Sequence, residues 1–116
     1  VINLSEDKRK VFSEIYRVLK RGGYLSIADV VTLKEVPDRV RQITELWLSC
    51  MAGSLLVDDL NKILADIGFK DITIFLEHVY TKDVIQSLLG SDAKINASDL
   101  DLLDGAFGSA VIKAVK

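Results

Sequence analysis

Residues 5–31 constrain the fold most. Val11, Ile15, Val18 and Leu19 recur at helical spacing, and Phe12 and Tyr16 widen the same apolar stripe. Ser5 is a good N-cap, and Glu6 and Asp7 place negative charge at the positive helix end. Lys8 stands where a full capping box has Glu or Gln. The stripe ends at Lys20-Arg21-Gly22-Gly23, where Gly22 can take the left-handed C′ conformation. Residues 24–31 follow as a short, mostly apolar run without strict alternation. Such a run reads as a strand covered on both faces, as in a parallel sheet. A long helix leading into a buried strand is half of a βαβ repeat, and Val1-Ile2-Asn3-Leu4 reads as the remnant of the strand before it.

The rest of the chain continues the alternation. Pro37 suits a helix opening, and Val40, Ile43, Trp47 and Cys50 or Met51 then line one face up to Gly53. Leu60, Ile63, Leu64 and Ile67 mark another helix, closed by Gly68. Ile72, Ile74 and Leu76 alternate with Thr73, Phe75 and Glu77, which predicts a strand. Val84, Ile85, Leu88 and Leu89 predict a short helix capped by Thr81 and stopped by Gly90. Residues 91–105 are polar and acidic, with room for one helical turn around Leu100 to Leu103. Residues 107–115 read as a last strand, with Ala110, Ile112 and Ala114 on one side and Phe107, Ser109, Val111, Lys113 and Val115 on the other.

Bulk properties exclude several functions. The 116 residues fit one domain with a modest core, 49% apolar and 28% charged. A net charge of −2 offers no basic stripe for phosphates, so no nucleic-acid partner is expected. No apolar run reaches the roughly 20 residues of a membrane helix, and no signal peptide is visible. A single Cys fits a reducing compartment, and a cytoplasmic location is expected. The chain begins at Val1 rather than Met, which suggests a fragment.

This order of elements, with the helix ending Val18-Leu19-Lys20-Arg21-Gly22-Gly23, resembles the C-terminal half of a class I S-adenosylmethionine-dependent methyltransferase. Arg21 stands where those proteins usually have Pro. The implied fold class is α/β: a partial Rossmann-like sheet, from the end of strand four to strand seven, with flanking helices and an antiparallel C-terminal strand pair. Residues 24–31 correspond to strand five, 71–79 to strand six and 107–115 to strand seven. Two shorter stretches resemble the arsenite methyltransferases. That family has a Cys directly before a Val-Ile-Asn-Leu stretch, with which this chain starts, and a second in Cys-x-Gly/Ala-Gly-Ala-Leu. Here Cys50-Met51-Ala52-Gly53-Ser54-Leu55 matches the second stretch, with Ser54 for the Ala.

By that resemblance Cys50 would be a ligand to trivalent arsenic, a thiophilic centre that suits thiolate. Asp29, at the carboxyl end of strand five, would face the same substrate cleft. Asn3, at the end of the remnant strand, would lie near the cofactor. Each has a plainer reading. A lone Cys on an apolar helical face is usually a small buried hydrophobe. Asp29 can cap the next turn, and Asn3 can bond its own backbone. His78 has no partner at catalytic spacing and reads as a surface residue; Trp47 and Met51 read as core. The acidic run from Asp92 to Asp104 lacks calcium-loop spacing and reads as solvated loop. No residue is assigned a catalytic role.

The chain contains no Gly-x-Gly-x-Gly loop and no acidic residue ending a second strand. Those features hold the nucleoside of S-adenosylmethionine in this fold. The expectation is therefore the substrate-side fragment of a methyltransferase acting on arsenite or another small molecule. S-adenosylmethionine would serve the intact parent, and the isolated chain would be inactive and bind no cofactor. The alternatives are a non-catalytic folded remnant or oligomerising module, and a methyltransferase for another acceptor such as a quinone precursor. With strands one to four missing, strand five would be an open edge, which predicts a homo-oligomer or domain swap through it.

Overall fold

The computed structural model describes residues 7–47, 53–90 and 95–116, with side chains described up to Ile43 in the first stretch. Among the described residues, five helices and three strands run in the order α1 (Lys8–Val18), β1 (Tyr24–Thr32), α2 (Asp38–Trp47), α3 (Val57–Ile67), β2 (Lys70–Val79), α4 (Lys82–Leu89), α5 (Ala97–Leu103) and β3 (Phe107–Val115). The fold is α/β, as the resemblance implied.

The sheet order is β1-β3-β2, so the last strand enters between the other two. Both pairings are antiparallel, which gives the expected C-terminal pair and adds a second one between β1 and β3. The parallel neighbour that the apolar run of β1 suggested is limited, among the described residues, to an isolated bridge from Thr32 to Leu56. Ile27 and Ile74 both pair with Ile112, an isoleucine row across all three strands on one face. Ala28 and Phe75 both pair with Val111 on the other face.

These two faces differ in cover. α1 and α3 pack on the isoleucine face, where Phe12, Leu60, Leu64 and Phe69 join Leu25, Ala110 and Ile112 in the main core. Periodicity put Ala110, Ile112 and Ala114 together on one side of β3, and all three are buried. A second core gathers Val36 and Val40 with Ile85, Leu89, Leu100, Leu103 and Phe107, so α2, α4 and α5 cluster around the start of β3. The remainder of the outer face is open: Tyr24 is 68% and Phe75 64% exposed, and Ser26 and Ala28 are exposed. The expectation of cover on both faces of β1 is thus corrected. Strand alternation is present in burial although weak in composition, because Ala28 and Tyr24 are apolar residues left on the wet side.

Three local readings also change. Asp7, not Ser5, caps α1, its carboxylate accepting from the Lys10 N–H at 3.0 Å; Ser5 lies outside the described residues. Gly22 has the positive φ expected, 81°, but sits in the turn closed by Gly23 N–H to Lys20 O, beyond the helix end at Val18. The acidic run is not all solvated loop. Asn96 caps α5, and Asp99 is 6% exposed and paired with Arg39 of α2. Other ion pairs lie at the surface. A hydrogen bond from Arg17 holds the Glu14 carboxyl below its usual range, and one to Asp101 raises Lys82. Helix α4 is capped by Thr81 and ends at Gly90, as expected.

Candidate functional site

Asp29, the site candidate that lies among the described residues, stands near the carboxyl end of β1, and open α/β sheets bind ligands beyond that end. Asp29 shares the core-facing side of β1 with Ile27, and its Oδ1 accepts from the Val30 N–H at 2.9 Å. That bond runs to the next residue within β1, rather than to the turn that the plainer reading had Asp29 cap. Asp29 lines a small hollow with Lys8, Phe12, Leu55 and Leu60. The hollow holds about 10 Å³, room for about one water and for no organic ligand.

A larger cleft opens next to it. Glu35, Val36, Asp38, Arg41 and Leu56 line a space of about 320 Å³. That is the lower end of the range for small-molecule sites, and its lining is charged rather than aromatic. Leu55 belongs to the hollow and Leu56 to the cleft, so one short stretch of chain divides the two.

This dividing stretch is tied to β1 by a buried polar network. The Thr32 N–H donates to Leu55 O at 2.9 Å. The Thr32 and Ser54 hydroxyl oxygens lie 2.6 Å apart, and Thr32 Oγ1 is 3.2 Å from the Ser54 carbonyl oxygen. Arg41 donates from Nη2 to that same carbonyl at 2.9 Å. One proton assignment satisfies the set: the Thr32 hydroxyl donates to the Ser54 carbonyl, and the Ser54 hydroxyl donates to Thr32 Oγ1.

Of the residues singled out in the sequence, Asp29 lies on β1, three residues before its end. Asn3 and Cys50 lie outside the described residues, as do Met51 and the Trp47 side chain. His78 is exposed on β2 and makes an edge contact with Tyr80. Among the described residues no group of His, Cys, Asp or Glu could hold a metal ion, and no helix is long and apolar enough to cross a membrane. Sequence reasoning missed Thr32 and Arg41. For Ser54 the signal was visible, since it departs from the Ala of the pattern it resembles.

The methyltransferase domain family matches residues 1–68, more than half of the chain. The arsenite methyltransferase of Halobacterium salinarum is 40% identical over 74 residues, covering 64% of this chain and 19% of that protein. The arsenite methyltransferase of Mus musculus is 46% identical over 69 residues, covering 60% of this chain and 18% of that protein. The chain therefore spans about a fifth of the length of these relatives. Among solved structures, the arsenic(III) S-adenosylmethionine methyltransferase of Chlamydomonas reinhardtii superposes with a TM-score of 0.75 at 30% identity, over 100% of this chain and 35% of that one. Phosphoethanolamine N-methyltransferase 2 of Haemonchus contortus superposes at 0.64 with 21% identity, over 100% of this chain and 31% of that one, a likeness of fold alone.

Proposed function

This chain belongs to the methyltransferase domain family, and from that premise we propose that it forms the acceptor side of an arsenite-methylating enzyme. The observation that carries the reading is the match along the full chain to the arsenic(III) methyltransferase of Chlamydomonas reinhardtii, at 30% identity. The 40% and 46% identities to arsenite methyltransferases support it.

In this reading the Cys50 thiolate is one ligand of trivalent arsenic. Soft sulfur suits that centre, and an arsenic lone pair needs no general base to become nucleophilic. The enzyme's task is then to hold the acceptor in line and exclude water. In this reading Asp29, near the end of β1, would face the same cleft, and Asn3, in the stretch just ahead of α1, would lie near the cofactor.

In this reading the described residues do not fit the donor. The hollow at the end of β1 takes about one water, and the sequence has no glycine-rich loop to cradle a nucleoside. In this reading the isolated chain has no seat for S-adenosylmethionine and is inactive.

A chimera tests the reading. The matching part of the Chlamydomonas enzyme is replaced by this chain, and methyl transfer to arsenite is followed. The chimera should methylate arsenite, and Cys50→Ser within it should lower kcat/KM at least about tenfold. Retained binding of S-adenosylmethionine reports that both versions fold. Cofactor binding with no methylation, or full activity in Cys50→Ser, would sink the reading.

A further inference from the structure

The open face of the sheet is built in three cross-strand rows. Ala28, Val111 and Phe75 form the first, Ser26, Lys113 and Thr73 the second, and Tyr24, Val115 and Lys70 the third. Tyr24, Ala28 and Phe75 are exposed, and Val111 and Val115 are half-buried. Single exposed apolar residues are ordinary, but a contiguous patch marks a surface that something covers. No carboxylate lies on the three rows, and Lys113 stands at their centre.

The charge beside this patch is mostly of one sign. Lys20 and Arg21 lie in the turn that leads into β1, which is fastened to the end of β3 by the Gly22 N–H donating to Lys116 O at 3.3 Å. Lys70 closes the third row. Among the described residues, Lys20, Arg21, Lys70 and Lys113 are exposed and none of them is in an ion pair. Asp71, next to Lys70, offsets one of the four. In a chain of net charge −2, this is a local excess of positive charge on apolar surface.

Dimensions and charge choose the occupant. Three strands about 4.8 Å apart and five residues at about 3.4 Å each make a floor of about 10 by 14 Å. One helix, about 10 Å across, covers such a floor, as α1 and α3 cover the opposite face. A second copy of this chain would bring Lys113 against like charge, over far less than the roughly 800 Å² per partner that a stable dimer buries. A bilayer would meet apolar surface interrupted by the Lys113 row rather than a continuous apolar face. A helix with apolar side chains toward both ends and carboxylates between them matches the order of the rows.

We propose that this open face docks an acidic amphipathic helix of a partner protein, whose apolar stripe covers Phe75, Val111 and Tyr24 and whose carboxylates meet Lys113 and the Lys20–Arg21 turn. The face lies across the sheet from Asp29, so the inference does not rest on the acceptor reading.

The probe is a fluorescein-labelled peptide of about 18 residues, with Leu at helical spacing flanked by Glu. Its anisotropy with the 116-residue chain should saturate with a Kd of about 1–100 μM. Lys113→Glu and Phe75→Ser should each raise Kd at least about tenfold, as should Gln in place of Glu in the peptide. Lys62→Glu makes the same charge change on α3, on the other side of the sheet, and should stay within about twofold of the parent. Thermal melts confirm that each variant is folded. The proposal is overturned by the absence of saturable binding to the folded chain, or by equal weakening in Lys62→Glu. Sedimentation showing a parent dimer that Lys113→Glu or Phe75→Ser dissolves would assign the face to a second copy and overturn it. Flotation with phosphatidylserine vesicles that is lost in Phe75→Ser would assign the face to a membrane and overturn it too.

Discussion

Gly68 closes α3 with φ of 123°, a backbone conformation that side chains rarely adopt. A Cβ there would also lie 3.0 Å from the Tyr16 hydroxyl oxygen. Tyr16 has little room to give. Its ring meets Phe69 edge-on at 5.0 Å, and Lys116 Nζ lies 4.7 Å from the ring centre. Gly68→Ala is therefore expected to cost about 1–3 kcal/mol in urea unfolding. A loss below about 0.5 kcal/mol would show that the turn relaxes freely. At this scale the sequence was uneven as a guide. Gly68 ends a clean helical stripe, and its stop signal is local. Thr32 and Ser54 are partners across 22 residues, and nothing local marks either as buried.

At the level of elements, α2 is held by other helices. Val36 and Val40 pack with Ile85, Leu89, Leu100 and Leu103, and Arg39 reaches Asp99 on α5. The pair is lopsided: the Asp99 side chain is 9% exposed and that of Arg39 64%. Removing the arginine strands a buried carboxylate, whereas neutralising the aspartate leaves a cation that water can solvate. Arg39→Ala should cost about 1–3 kcal/mol, and Asp99→Asn less than half as much. Urea midpoints decide the order, and a larger loss in Asp99→Asn would contradict this assignment of the burden. The helices α3 and α4 and the strands β2 and β3 were legible from period and stop signals. Helix α5 was legible only as a turn around Leu100 to Leu103, because its acidic face reads as solvated until Arg39, 60 residues earlier, is brought beside it. Helix α2 was legible as an amphipathic face, but not as one that binds α4 and α5.

Across the whole molecule, one sheet separates a fully packed side from a partly open one. The isoleucine row seals the side under α1 and α3, while Tyr24 and Phe75 remain exposed on the other. Periodicity alone predicted three strands and a parallel neighbour for β1. The entry of β3 between β1 and β2 is a long-range pairing that no local period encodes. The likeness to methyltransferases carried the fold class where periodicity stopped. Asp29 was legible as a lone acid within the apolar run of β1; the cleft was not, because α2, the 54–56 stretch and β1 meet only in three dimensions.

We propose that this chain builds an acceptor side without a place for the donor nucleoside. Calorimetric titration of the 116-residue chain with S-adenosylmethionine tests it most directly. No saturable heat is expected at concentrations up to about 1 mM, and a dissociation constant in the micromolar range would contradict the claim.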